Sequence, residues 1–463
     1  MRLLLPTTLL PLLCATAIAQ APGPNWLQFP TGGTEPPLRR ENPGAADNNY
    51  MYAFGGTTGN SGGSRVNDLW QFDGATWTQM TADGAVGSPA ARHQAGVTWD
   101  FARNKLVVFG GQDAGGTVLA DTWEWDPGTN AWTDITPLSG PTARRFTAMS
   151  YDPTTTGLVM FGGLDSSGAH LNDTWLFLGG TTWVPMSTAV VPSTRRQHHL
   201  VTRPDVGDVL LFGGQEASLP APTKWRTDTF TWDGSDWTQI VTATLPQGVV
   251  ANDATYDQLR QRIVLPAGNG TTGQFNSVAE FDSLTNDWVM RTGLGYYSRF
   301  FLAYVPALGK TFKVSGQGNG TPLLTYEYQS DVIATSTPTG AGCAGMALTA
   351  DSDPWTGRDW NVTGTGFGTG SLGLTVLGLG TLSLPISNIL PAGGPGCDLL
   401  VTTDALQLIV PAAGQASYTF SIPANPIFAN FALNLQMVSL DFTGSAITTI
   451  NSTNAINGVV GAL

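Results

Sequence analysis

A short apolar run ending in a glycine doublet recurs along the chain: AFGG from Ala53, VFGG from Val108, MFGG from Met160 and LFGG from Leu211. The copies stand about fifty residues apart, a period that specifies stacked supersecondary units rather than one irregular core. Two weaker copies follow, Ala267-Gly268-Asn269-Gly270 and Ser315-Gly316-Gln317-Gly318. A second landmark is a tryptophan that opens a short alternating segment, at Trp26, Trp77, Trp132, Trp183, Trp237 and Trp288. Two landmarks, each in six copies, predict six units.

Each unit reads as four short strands, for example HQAGVTW, KLVVFGG, ADTWEWD and AWTDIT, with turn residues between them. The 57 glycines and 30 prolines supply those turns, and no helix-length amphipathic segment competes. A four-stranded unit cannot hide both of its apolar faces alone. Radial stacking around an axis buries them, which predicts an all-β, six-bladed propeller. NWLQF at Trp26 is a fourth strand without predecessors, and TYEY at Tyr326 a third without a successor, so the two should complete one blade.

The glycine doublets, the Asp-x-Trp/Phe steps at Asp68, Asp121, Asp173 and Asp228, and the aromatic pairs Trp70/Trp77 and Phe230/Trp237 resemble the kelch repeat. The array is similar to kelch-type propellers of the galactose-oxidase-like superfamily. That resemblance covers roughly residues 22–329 and weakens in the last two units. Galactose oxidase uses a copper centre with a tyrosine cross-linked to a cysteine. No cysteine lies in this propeller, so the copper chemistry is not expected.

Residues 1–19 carry a basic start (Arg2), an apolar core and the small-residue end Ala17-Ile18-Ala19, the pattern of a signal peptide. Export is therefore expected, as a secreted, cell-surface or periplasmic protein. The run is broken by Pro6 and Pro11, and no membrane span is expected. The propeller is assigned to 20–335 and a linker to 336–342. The remainder, 343–463, reads as a small antiparallel β-sandwich, similar to C-terminal domains of secreted bacterial proteins. From 340 onward only seven residues are charged, six acidic plus Arg358. Cys14 would leave with the signal, so Cys343 and Cys397 should pair in an oxidising compartment.

A net charge of -13 disfavours nucleic acid and anionic membrane as partners. No HExxH, CxxC or EF-hand spacing is present, and GTGFG at Gly364 precedes a strand rather than a helix. Neither metal nor cofactor is expected. DGATW (Asp73) and DGSDW (Asp233) resemble aspartate boxes of sialidases, but Asp-Gly between strands is first a turn signal. Most of the 13 tryptophans before the linker sit at repeat positions and read as packing; Trp225, between Lys224 and Arg226, is the exception.

Arginine is the informative residue. Arg39, Arg92, Arg144 and Arg195 each follow a proline by three residues, just ahead of the innermost strand, and Arg299 occupies a comparable place. These lead-in segments should share a face with the long second-to-third-strand loops, 57–67, 112–120, 164–172 and 215–227. His93, His198 and His199 belong to the same face, with His170 in a loop. The expected ligand set is therefore Arg39, Arg92, Arg144, Arg195, Arg299, His93, His198 and His199. The bland alternative is that each Arg bonds carbonyls of a neighbouring blade or the repeated Asp. The leading reading is a noncatalytic module that binds a glycan, a peptide or a small anionic ligand. One alternative is a sialidase-like or sialic-acid-mutarotase-like enzyme, with Arg92, Arg144 and Arg195 holding a carboxylate and Glu216, Tyr296 or Tyr297 reacting. A purely structural envelope protein is the third.

Overall fold

The computed structural model describes residues 25–461 apart from 30, 32–33, 60–62, 217–219, 221–223, 247–248, 251–252, 267–268, 271–272, 275–276, 284, 293–299, 315–324, 330–334, 424–427 and 429–430. The expected signal segment, Arg299, Tyr296, Tyr297 and the last glycine doublet lie outside them. Two compact units result, one spanning Pro24–Gln329 and the other containing Ser330–Leu463.

The first unit is an all-β kelch-type propeller. Among the described residues it contains six antiparallel sheets of four or five strands, the first built from Gly44–Ala46, Met51–Phe54, Leu69–Phe72 and Trp77–Thr81. The third has the longest strands, with Gly157–Asp165 and His170–Phe177 at its centre. The innermost strands lie side by side in chain order, and Phe301–Val305 of the sixth sheet lies against Gly44–Ala46 of the first. Asn25–Gln28 pairs antiparallel with Thr325–Gln329, placing Trp26 opposite Tyr328, so the sixth sheet combines strands from both ends of the repeat array.

The glycine doublet has a backbone reason. Gly55 and Gly56 have φ of 57° and 96°, Gly110 and Gly111 61° and 94°, left-handed values that glycine adopts at little cost. That geometry aims the two N–H groups in different directions. Gly55 donates to the Asp68 carbonyl of its own blade, whereas Gly56 donates to the Arg92 carbonyl of the next. Gly111 and Gly163 repeat the second bond to Arg144 and Arg195.

The landmark tryptophans bind blades together. The indole N–H of Trp183 donates to Thr122 Oγ1, that of Trp237 to Thr174 and that of Trp288 to Thr229, each in the preceding blade, at 2.9–3.1 Å. Trp77 makes the same bond to Thr325 of the sixth sheet at 3.0 Å. Buried aromatics explain the packing around them: Phe109 and Phe177 flank Trp183 at 5.1 and 4.9 Å.

In the second unit, Thr335–Thr339, Ala446–Val459, Ala432–Thr443, Leu372–Gly378 and Ala405–Ile409 form one sheet, and Ala347–Ala350, Asp359–Thr365 and Gln415–Ser421 another. Leu348, Trp360 and Val362 of the second sheet share a core with Leu435, Met437 and Ile456 of the first. Cys343 and Cys397 are disulfide-bonded. The linker expected at 336–342 is corrected in its first part: Thr335–Thr339 is an edge strand on Ala446–Val459. Its Ser, Thr and Pro residues suit an edge, where the missing proline N–H costs no ladder bond.

Candidate functional site at the arginine mouth

The lead-in segments and the long loops do share a face. Arg39–Arg40 pairs with Thr57–Thr58, Arg92–His93 with Gln112–Asp113, and Arg144–Arg145 with residues of the Gly157–Asp165 strand; Arg196 bridges Gln215. Two residues beyond each first arginine, the chain turns through a left-handed residue: Glu41, Gln94, Phe146 and Gln197, with φ of 53°–60°. The Phe146 N–H donates to the Gln94 carbonyl and the Gln197 N–H to the Phe146 carbonyl, which links neighbouring blades around the mouth.

Strand alternation separates the two members of each pair. Arg39, Arg92, Arg144 and Arg195 turn into the blade and are at most 1% exposed. Each is bidentate to the repeated aspartate of its own blade (Asp68, Asp121, Asp173, Asp228) at 2.6–2.9 Å. Each also donates to the carbonyl of the first doublet glycine. In three blades the same carboxylate accepts the indole N–H of the Asp-x-Trp tryptophan, Trp70, Trp123 or Trp175, at 2.7–2.8 Å. Burial alone would raise the Asp173 carboxyl, but Arg144 and Trp175 hold it below the usual carboxylate range. The expectation that these four arginines offer themselves to a ligand is thereby corrected. Their donors are spent on carboxylates fixed in the same blade, and solvent does not reach them. The enzyme reading loses its carboxylate grip for the same reason, and Glu216 lies 2.5 Å from Arg226.

The second member of each pair faces the mouth. Arg145 Nη1 donates to the amide oxygens of Gln94 and Gln112, each at 3.2 Å. Arg196 donates through Nε and Nη2 to Gln215 Oε1 at 3.1 and 2.7 Å. Arg65, from the first long loop, donates to Gln112 Oε1 at 3.3 Å and to the Ala114 carbonyl at 3.1 Å. Arg145 and Arg196 lie 5.4 and 5.5 Å from the Phe146 ring centroid. Burial and the Arg145 charge both pull the Arg196 pKa down. Among the described residues, no carboxylate pairs with Arg65, Arg145 or Arg196.

Unused donors accompany them. Nε of Arg40, Arg65 and Arg145, and Nε1 of Trp225, are buried without a hydrogen-bond partner, as are both ring nitrogens of His170. Burial, then the Arg196 charge, depresses the His170 pKa, against an opposing pull from Glu216.

The predicted histidines do gather here. His93 Nδ1 lies 2.8 Å from the Glu41 carboxylate, and its Nε2 lies 3.3 Å from Gln112 Oε1. His198 and His199 line a cavity of about 170 Å³ at the mouth, together with Glu41, Gln94, Phe146 and Gln197. Burial drives the His198 pKa well below its ordinary value and that of His199 to about 4, so both rings are neutral at physiological pH. Sequence reading missed Arg65, Arg145 and Arg196. The legible signal for two of them was the doubling itself, Arg144-Arg145 and Arg195-Arg196, since alternate residues of an extended segment face opposite ways.

Comparison with known proteins identifies the repeats. Residues 21–145 and 96–297 match the KLHDC2/KLHL20/DRC7 Kelch-repeats domain. Kelch domain-containing protein 2 of Bos taurus is 28% identical over 155 residues, 30% of this chain and 33% of that protein. Acyl-CoA-binding domain-containing protein 4 of Arabidopsis thaliana is 28% identical over 202 residues, 41% of this chain and 29% of that protein. The Leucine-zipper-like transcriptional regulator 1 homolog of Drosophila melanogaster is 27% identical over 217 residues, 42% of this chain and 21% of its own length. The chain thus spans a third or less of each of these relatives. With matched repeats over more than half its length, and the doublet, the aspartate and the tryptophan each given a structural task, this chain belongs to the kelch-repeat family.

Proposed function

We propose that this protein is a secreted, noncatalytic binding module whose arginine mouth takes an anionic ligand, presented by a glycan, a peptide or a small molecule. Kelch repeats act as interaction modules, and the expectation of export rests on the N-terminal sequence pattern. One observation carries the ligand chemistry. Among the described residues, Arg65, Arg145 and Arg196 are served only by neutral amide and carbonyl oxygens, while the inner arginines of the same blades have carboxylates. Gln112 Oε1 accepts from both Arg65 and Arg145, at 3.3 and 3.2 Å, and lies 3.3 Å from His93 Nε2. One neutral amide oxygen is shared by two guanidinium groups, whereas an oxyanion of the ligand could displace the amide and accept charge-assisted bonds.

The test is a binding screen of carboxylated and sulfated glycans and acidic peptides against neutral counterparts, at low and physiological salt. Anionic members should bind, more weakly as salt rises, and the double variant Arg145→Ala/Arg196→Ala should lose about tenfold or more in affinity. Equal binding of neutral counterparts, or an unaffected double variant, would overturn the reading.

A further inference from the structure

We infer that the opposite face of the propeller holds a second site, a cavity for a small organic ammonium. The innermost strands run away from the arginine mouth, and their far ends, with the turns that follow, line a cavity of about 370 Å³. An apolar void of ~150 Å³ already accommodates a benzene molecule, so a compact organic ion fits. The rim includes Asn48, Phe101 and Gln258, all exposed, so the cavity reaches solvent.

The lining has one sign of charge. Its described residues include Asp47 and Asp253 and no lysine, arginine or histidine. Six aromatic residues, Trp99, Phe101, Tyr151, Tyr256, Phe301 and Tyr304, contribute to the wall. Carboxylate with aromatic rings is the composition that recognises alkylammonium groups, because ring faces carry negative electrostatic potential and desolvate the ion without losing attraction. Asp47 is already satisfied, accepting from the Asn49 and Tyr50 N–H groups and the Tyr52 hydroxyl at 2.6–2.9 Å. Asp253 is different. Among the described residues it accepts only the N–H groups of Ala254 and Leu302, at 2.9 and 3.4 Å, and meets no cation.

Asp253 stands where this cavity meets the mouth cavity, since it lines both. It is half-buried and opens to the cavity. Burial, only partly offset by the two N–H groups, pushes its pKa up to about 7. The tyrosine hydroxyls around it are pushed up as well, by burial first and then by carboxylates: Tyr151 by Asp100 and Asp152, Tyr304 to about 12 with Asp257 contributing. On the mouth side Asp253 shares the cavity with Glu41 and the neutral His198 and His199. A carboxyl with a raised folded pKa contributes stability below its unfolded pKa and loses it as pH rises through about 7. Ionised Asp253 therefore works against the fold, and an ammonium ion in the cavity would reverse that.

Choline and its uncharged isostere 3,3-dimethylbutan-1-ol, titrated calorimetrically into the full-length protein at pH 8, discriminate charge from shape. Choline should bind saturably and the isostere about tenfold more weakly, with Asp253→Asn lowering choline affinity by a similar factor. The Asn variant should melt no lower than the wild type at pH 8, which separates lost binding from lost fold. Arg145→Ala should leave choline binding unchanged, so failure here and failure at the arginine mouth are distinguishable. Absence of saturable choline binding, equal affinity for the isostere, or full affinity in a folded Asn variant would overturn the inference.

Discussion

Adjacent arginines in one segment carry opposite assignments, and the cause is a partner supplied from elsewhere. Arg144 is unexposed and bidentate to Asp173, whereas Arg145, its immediate neighbour, meets only the amide oxygens of Gln94 and Gln112. Removing one partner of a buried pair leaves the other charge uncompensated, at a cost of ~3–5 kcal/mol. Arg144→Ala should therefore lower the melting temperature of the propeller sharply, somewhat moderated because Asp173 keeps partial solvent contact. Arg145→Ala should barely change it. Thermal melts of the two variants check this; equal effects would mean that the inner and outer arginines are not distinct. The pairing was legible in principle, because Arg39–Asp68, Arg92–Asp121 and Arg144–Asp173 all share a separation of 29 residues, and Arg195–Asp228 one of 33. Both residue series stood out in the sequence; their constant offset is what joins them.

At the scale of strands, the repeat succeeds because each landmark performs a bond that a lone blade could not make. The doublet glycines and the strand-opening tryptophans connect successive blades, so each blade is completed by its neighbours. The strand Asn25–Gln28 does this for the sixth sheet, where Trp26 packs at a tilt against Tyr328, ring centroids 4.9 Å apart, and covers Lys313, whose amine lies 4.4 Å from the indole. Burial lowers the Lys313 pKa to about 7, so uncovering this residue releases a strained charge as well as a strand edge. Deleting residues 20–30 should thus lower the melting temperature of the whole propeller rather than fray one edge, with differential scanning calorimetry as the measurement. A melt unchanged by the deletion would show that this strand is dispensable. The two orphan segments were visible as a fourth strand without a beginning and a third without an end; their register was not, since sequence alone fixes no strand partner.

For the molecule as a whole, two compact units predict two thermal transitions. Closing a loop across a sequence separation of 54 is worth about 4 kcal/mol in the chain-entropy treatment, so reduction of Cys343–Cys397 should depress one transition and leave the other in place. A shift of both, or of neither, on adding dithiothreitol would contradict that assignment. What the sequence by itself determined is the periodic part: strand content, the recurring landmarks, the face shared by lead-in segments and long loops, and the separate low-charge C-terminal region. Those follow from hydrophobic alternation and glycine spacing, which are local properties of the chain. Only the tertiary structure decided which arginine is spent and which is free, and that Asp253 lines a cavity whose described wall contains no cation. The reason is that hydrogen-bond partnership and desolvation are set by atoms brought close from different blades, and a carboxylate or its absence a few ångströms away reverses what a charged side chain can do.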